Sequence, residues 1–242
     1  MTAIGILGCA GRMGRSIAAA MADYGATSAG GIDAGDDPLP VARAADVLVD
    51  FTVPAALAAN LAAARTAGTP ILIGTTGLTK QHLDLVTDAA REIAVLQTGN
   101  TSLGVTLLAK LVRQAAAQLG SDWDIEIVEM HHRAKVDAPS GTALMLGEAA
   151  AGGRETTLGD LGVIGRAGLS GDRATGTIGL ASLRGGTVAG DHTVIFAGNG
   201  ERLEFTHRAE DRAIFAHGAI TAALWLAGKP AGRYAMAEVL GV

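Results

Sequence analysis

The chain has 242 residues and is 49% hydrophobic, enough for a sizeable core in one large or two modest domains. Only 18% of residues are charged and the net charge is −5, which favours neither nucleic acid nor an anionic membrane as a partner. Apolar stretches are broken by Gly, Lys or Arg well before the ~18 residues of a membrane span. The N-terminus lacks the basic start and long apolar core of a signal peptide. One cysteine, Cys9, excludes an intramolecular disulfide and fits a reducing compartment. A soluble cytoplasmic protein is expected.

In chain order, Ala3–Leu7 reads as a strand, followed by a Gly-rich turn and a helix from about Met13 to Ala22. Strands are expected at Ser28–Ile32, Val47–Phe51, Ile71–Gly74 and Val95–Gln97, with helices at about Pro54–Thr66 and Thr79–Ile93. Short apolar runs alternating with helices predict βαβ units and a parallel sheet. Loops at the C-terminal ends of its strands then build the site.

The pattern changes after Asn100. A long helix at about Leu103–Leu119 leads to an alternating strand, Asp124–Glu129, and a helix near Thr142–Ala150. Residues Gly152–Gly176 are rich in Gly, Arg and Asp and read as a mobile loop. Within it, Arg166–Arg173, with Gly165, Gly168 and Gly171, is a candidate lid. Strands are expected at Thr177–Leu183, His192–Ala197 and Arg202–His207. Ala213–Ala227 reads as an amphipathic helix that packs back on the first domain. The expected organisation is a first domain of 1–100 plus 213–242, and a second of 101–212 whose fold is α+β with a mixed sheet.

Gly8-Cys9-Ala10-Gly11-Arg12-Met13-Gly14 lies between a strand and a helix, as a dinucleotide loop requires. Glycines let the turn form and let backbone approach a pyrophosphate at the positive helix N-terminus. Asp33 ends the second strand, 19 residues past Gly14, near the spacing of a carboxylate that binds a ribose 2′-OH. Ala34 follows, where an Arg would pair with a 2′-phosphate, so NADH is favoured over NADPH; Arg12 remains a second phosphate contact. Gly74-Thr75-Thr76-Gly77 suits a nicotinamide or ribose at the strand tips. Gly99-Asn100-Thr101-Ser102 offers an amide to a carboxamide. Each of these two turns is equally readable as an ordinary turn.

Residues 129–142, Glu-Met-His-His-Arg-Ala-Lys-Val-Asp-Ala-Pro-Ser-Gly-Thr, carry the densest chemistry in the chain. Imidazoles at His131 and His132 suit proton transfer near neutral pH. Lys135, and the turn at Ser140, Gly141 and Thr142 opening a helix, suit a carboxylate. Adjacent histidines continuing a strand face opposite sides, so one of them is equally readable as a packing residue. Asp137 reads as support for a neighbour.

The loop GCAGRMG, Asp50-Phe51-Thr52, the GTTG turn and above all EMHHRAKVDAPSGTA resemble the 4-hydroxy-tetrahydrodipicolinate reductase (dihydrodipicolinate reductase) family. Supporting matches run from Gly176-Thr177-Ile178-Gly179, Arg184-Gly185-Gly186 and Gly190-Asp191-His192 to Ala223-Leu224-Trp225-Leu226, so the resemblance spans the chain. It implies an α/β fold: an N-terminal Rossmann-like parallel-sheet domain, completed by the C-terminal helix, plus a substrate-binding and oligomerisation domain. It also implies a reductase of diaminopimelate and lysine biosynthesis, a homotetramer joined through the second domain's sheets, and a cyclic imine dicarboxylate substrate. By motif position, His131 is similar to the family's proton donor/acceptor and Lys135 to its proton donor. His132, Gly141 and Thr142 are similar to its substrate contacts, and Ser140 belongs to the same turn. Gly8, Cys9, Ala10, Gly11, Arg12, Met13, Asp33, Gly74, Thr75, Thr76, Gly99, Asn100, Thr101 and Ser102 fall where the family binds its nicotinamide cofactor, NADH or NADPH. The chain departs from some relatives in a short Ala34–Asp46 stretch and in Thr101, where an aromatic residue occurs elsewhere.

Three other readings compete. Another two-domain dehydrogenase acting on a small carboxylate shares the cofactor loop, but a semialdehyde dehydrogenase needs a cysteine nucleophile and Cys9 lies in the nucleotide turn. A metal hydrolase using His131, His132 and Asp137 lacks a further His or Cys at ligand spacing, so no metal is expected. A silent NAD-binding regulator leaves His131 and Lys135 without a task.

Overall fold

Ile4, Ile6 and Leu7 are almost wholly enclosed, and the strand they form lies inside a sheet rather than at its edge. In the computed structural model, which describes residues 1–241, this strand is β1 (Ala3–Leu7). It is followed by α1 (Arg12–Ala20), β2 (Thr27–Ile32), α2 (Leu39–Ala44), β3 (Val47–Asp50), α3 (Leu57–Ala67), β4 (Ile71–Ile73), α4 (Lys80–Ala89) and β5 (Ala94–Gln97). Every residue of β3 and β4 is buried. Apart from Asp50, which ends β3, these are the continuous apolar runs that a parallel sheet covered on both faces demands.

Two compact units result: Met1–Leu103 with the segment from Ala213 onward, and Gly104–Arg212. In the first, six parallel strands run in the order β11-β5-β4-β3-β1-β2. One face packs α1 and α8 (Ala213–Leu226) around Ile6, Ile17, Val49, Leu72 and Ile220; the other buries Leu48, Leu57, Leu61, Ile71 and Val86. The expected amphipathic character of α8 is corrected. Ala216, Gly218, Ala219, Ile220, Ala222, Ala223 and Leu226 are buried around most of its circumference, as in a helix wedged into a core. Gly218 explains the closeness: a Cβ there would stand 1.8 Å from the Thr101 carbonyl oxygen. Three elements of this unit were not expected: α2, β11 (Gly232–Tyr234), which pairs with β5, and α9 (Met236–Val239). Each is too short to show a period.

The second unit builds a five-stranded mixed sheet in the order β10-β9-β6-β8-β7. Its strands are β6 (Asp124–His131), β7 (Gly162–Ile164), β8 (Ile178–Arg184), β9 (Asp191–Gly198) and β10 (Glu201–Arg208). Strand β6 pairs parallel with β8 and antiparallel with β9. Helices α5 (Leu103–Gln118) and α6 (Gly141–Gly153) bury Leu108, Val112, Leu146 and Ala150 with Ile125, Ile127, Val194 and Phe196.

The 152–176 stretch is not the free loop its composition suggests. It contains α7 (Leu158–Leu161) and β7. Arg173 donates to Glu126 Oε1 at 2.9 Å, to Asp124 Oδ1 at 2.8 Å and to the carbonyls of Ile125 and Thr177. Arg166 reaches Glu126 Oε2 at 2.9 Å. Both arginines therefore tie the segment to the beginning of β6, at the opposite end of the strand from His131. This clasp gives the candidate lid fixed partners on β6.

A methyl group at position 218 overpacks the α8 contact, which costs about 1–3 kcal/mol and, for a chain of this size, lowers Tm by about 2–4 °C per kcal/mol. Gly218→Ala should thus melt several degrees lower by calorimetry. Gly228→Ala, where a Cβ meets nothing within 4 Å, should melt like the wild type.

Candidate active site

Strand β6 alternates, and its inward face carries Ile125, Ile127, Glu129 and His131 in phase. Two apolar positions are thus followed by a carboxylate and an imidazole on the same buried face. A buried charge is tolerated only when paired, and Glu129, whose side chain is fully enclosed, is held from several sides. Arg184, on the neighbouring β8, donates Nη1 to Oε2 at 2.9 Å and Nη2 to Oε1 at 2.8 Å. His131 Nδ1 stands 2.5 Å from Oε2, and the Ser140 backbone N–H donates to Oε1 at 3.2 Å. Burial, the largest single effect, pushes the carboxyl pKa upward. Hydrogen bonds from Arg184, His131 and Ser182 outweigh it and bring the value down to about 2.

The strand ends at His131, so His132 lies beyond it, with its backbone N–H on the Val188 carbonyl at 2.8 Å. His132 is half-buried, and its pKa is lowered by that burial and by the charges of Arg212, His131, Lys135 and Arg184. A cluster of cations around one imidazole is a setting for a dianionic ligand. Lys135 Nζ pairs with Asp137 Oδ1 at 2.8 Å. Arg184 also donates to the Asp137 carbonyl at 2.6 Å, bracing the loop that carries Lys135.

Ser140 caps α6: its Oγ accepts from the Ala143 N–H at 3.2 Å and lies 3.0 Å from His192 Nε2. Gly141 and Thr142 supply the first N–H groups of that helix, where anions are favoured. A Cβ on Gly141 would meet nothing within 4 Å, so this helix start is open to a ligand.

In the first unit, the nucleotide loop divides its labour. Gly8 and Cys9 donate their N–H groups to the Ile32 carbonyl, Ala10 to Asp33 and Gly11 to Gly8, so these four bind their own chain. Arg12 and Met13 open α1, which has no side-chain cap, so their N–H groups face outward from the first turn. A Cβ on Gly14 would lie 2.2 Å from the Gly8 carbonyl oxygen, which is why the third glycine is required. Asp33 accepts from Ala10 N–H at 2.9 Å and from Cys9 Sγ at 3.0 Å. The contact with Asp33 raises the Cys9 thiol pKa, with burial adding to it.

Asp50, fully buried at the end of β3, accepts from the Thr52 hydroxyl at 2.6 Å, the Asn60 amide at 3.0 Å and the Thr75 hydroxyl at 3.1 Å. Thr75 is thereby turned inward, while Thr76 is exposed. Thr101 also points inward, its hydroxyl on the Phe215 carbonyl at 2.7 Å. Asn100 Oδ1 accepts from the Ser102 N–H at 2.8 Å and shapes the Gly99–Ser102 turn. The side chains of Cys9, Thr75 and Thr101 are therefore builders of these loops.

Two sequence families cover nearly the whole chain: "Dihydrodipicolinate reductase, N-terminus" over residues 2–101 and "Dihydrodipicolinate reductase, C-terminus" over residues 104–240. The chain belongs to the dihydrodipicolinate reductase family. It is 55% identical over 246 residues to the 4-hydroxy-tetrahydrodipicolinate reductase of Zymomonas mobilis subsp. mobilis, covering 99% of this chain and 97% of that protein. The enzyme of the same name from Rhodopseudomonas palustris (strain BisB18) is 50% identical over 261 residues, 98% of this chain and 96% of that one. Dipicolinate-bound dihydrodipicolinate reductase from Paenisporosarcina sp. TG-14 shares the fold, with a TM-score of 0.77 at 23% identity and 98% of each chain covered. The C-terminal family extends to residue 240, although the reductase folds its last segment into the first unit.

Glu129, Arg184, His192, Arg212 and Asp50 are not among the site residues expected from the sequence. Glu129 was detectable, since it continues the alternation of Ile125 and Ile127. The partners on β8 and β9 carry no local sign of the pairing that strand register creates. Among the described residues, no group of three or more His, Cys, Asp or Glu is arranged to hold a metal ion. Nor is any described helix long and apolar enough to cross a membrane.

His192 is 4% exposed, and burial, reinforced by the charge of His131, draws its pKa down to about 4. The neutral imidazole belongs to the folded state, whereas the unfolded chain takes up a proton near pH ~6.5. Stability from this group is full above that pH and declines as pH falls from about 6.5 to about 4, by roughly 3 kcal/mol in total. Glu129 acts lower, losing its contribution between its ordinary 4.5 and about 2. In urea unfolding across pH, His192→Gln should flatten the upper part of the acid decline and leave the lower part in place.

Proposed function

We propose that the chain reduces 4-hydroxy-tetrahydrodipicolinate to tetrahydrodipicolinate with loss of water, using a nicotinamide cofactor, in diaminopimelate and lysine biosynthesis in the cytoplasm. The observation that carries this reading is whole-length identity of 55% to an enzyme of that name, supported by the cationic cluster beside a capped helix start.

The first unit, Met1–Leu103 with the segment from Ala213 onward, is the dinucleotide-binding domain, and the second, Gly104–Arg212, binds substrate. The N–H groups of Arg12 and Met13 take the pyrophosphate, with the backbone of Gly8 to Gly11 forming the turn beneath it. Asp33 takes the adenosine ribose, and its carboxylate with Ala34 beside it opposes a 2′-phosphate, which favours NADH over NADPH. The Gly74–Thr76 and Gly99–Ser102 turns hold the nicotinamide end. When bound, the cofactor supplies the hydride.

The protein's own residues hold the substrate and move protons. His132, Arg212 and the Ser140–Thr142 turn bind its two carboxylates. Hydride addition to a ring conjugated with an imine leaves a nitrogen-stabilised anion or enamine that must be protonated. His131 exchanges that proton, and Lys135 supplies positive charge and a proton beside the ring nitrogen.

The chain further acts as a homotetramer joined through the second unit's sheet. The face of β6 opposite the core carries half-buried Glu126, Val128 and Met130, and Leu183, paired with Met130 from β8, stands 50% exposed on the same face. Sedimentation equilibrium should give four times the 24.3 kDa chain mass; a monomer at micromolar concentration defeats this assembly.

A coupled assay decides the activity. Synthase-generated substrate, purified protein and either cofactor should give loss of nicotinamide absorbance, and oxidation of neither refutes the proposal. His131→Gln and Lys135→Ala should each lower kcat by about 100-fold, the scale of positioned acid–base catalysis. Asp33→Ala should raise KM for NADH more than for NADPH; equal change in both overturns the stated preference.

A further inference from the structure

The function assigned to His131 leaves open which ring nitrogen exchanges the proton, and the surrounding contacts address that question. An ionised carboxylate is an acceptor only. Glu129 Oε2 lies 2.5 Å from His131 Nδ1 and also accepts from Arg184 Nη1 at 2.9 Å, so the proton of that contact resides on Nδ1. The other ring nitrogen, Nε2, lies beside Gly190, where a Cβ would stand only 3.0 Å from it. A glycine at 190 keeps Nε2 uncovered on that side. The second oxygen, Oε1, accepts from the Ser140 N–H at 3.2 Å and from Arg184 Nη2 at 2.8 Å. One carboxylate thus touches both the imidazole and the turn that begins α6, and a bidentate guanidinium prevents it from rotating away.

We infer that Glu129, clamped by Arg184, is a positioning residue that holds His131 as the Nδ1–H tautomer, presents Nε2 to the substrate, and couples that imidazole to the carboxylate-binding turn through Ser140. This deepens the proposed function and rests on its assignment of His131 to proton exchange. Proton exchange at Nε2 leaves the Nδ1–H bond to Glu129 intact, and the carboxylate's charge steadies the imidazolium formed when Nε2 takes up a proton. Neither Glu129 nor Arg184 needs to touch substrate for this.

The test combines nitrogen-15 histidine NMR of the full-length protein with steady-state kinetics. In the wild type, one Nδ1-bound proton should appear far downfield and vanish in His131→Asn. Glu129→Gln should lose that resonance, lower kcat by about 100-fold and raise KM for the dicarboxylate substrate while leaving KM for NADH unchanged. Arg184→Lys, which keeps the carboxylate but removes the two-point clamp, should broaden the resonance and give an intermediate loss. A wild-type spectrum with His131 protonated on Nε2 alone overturns the inference and needs no variant to fold. So does a Glu129→Gln protein that keeps kcat within about two-fold at unchanged Tm. Presence of the downfield proton in a protein that oxidises neither cofactor sinks the proposed reaction while leaving the His131–Glu129 contact established, so the two failures are distinguishable.

Discussion

A carboxylate on the inward face of a core strand is costly unless donors surround it, and Glu129 organises the second unit on those terms. Because β6 alternates with period two, the phase that buries Ile125 and Ile127 also buries Glu129 and His131. Satisfying Glu129 brings in Arg184 from β8 and the Ser140 amide at the start of α6. The same pairing aligns His192 of β9 across from Glu129, where it meets the Ser140 hydroxyl. Proton-transfer candidate, helix start and sheet register are thereby linked through one side chain. A change in the register of β6 by one residue would turn all of them outward together.

The first unit obeys a different constraint, close approach of backbone. Gly14 against the Gly8 carbonyl, Gly74 against the Phe51 ring and Gly218 against the Thr101 carbonyl leave no room for a methyl group. These contacts draw α1 and α8 onto the sheet and shape the loops at the strand ends. Asp50 plays a part like that of Glu129 on a smaller scale, gathering Thr52, Asn60 and Thr75 around one buried carboxylate. In both units, loops that offer backbone N–H groups outward are held from behind by buried, fully engaged side chains.

Long, strongly patterned elements were legible in the chain itself. The parallel sheet, the mixed second sheet and the helices flanking them follow from runs such as Val47–Phe51 and Leu103–Leu119, where period and composition agree. Short pieces were not: α2, α7, β7 and β11 hold three to six residues each and owe their form to neighbours. Composition misled at 152–176, where glycine and charge suggested mobility, because the partners of Arg166 and Arg173 lie some 40 to 49 positions earlier. It misled again in α8, whose polar-looking His217 and Thr221 sit on a helix otherwise sunk in the core.

By itself the sequence determined the fold class and the family, because both rest on local order: strand–glycine turn–helix at residue 8, and the run from Glu129 to Thr142. It also placed an imidazole, an ammonium and a helix start within one short segment. Only the tertiary structure decided how those groups are held. Arg184 and His192 stand 55 and 52 positions from Glu129 and Ser140, respectively, and meet them through strand pairing, a relation no window of sequence contains. It decided, too, which members of the nucleotide loop spend their N–H groups internally, since the acceptors Ile32 and Asp33 come from the next strand and its end. Local chemistry is written along the chain; the pairing of buried charges is written across it.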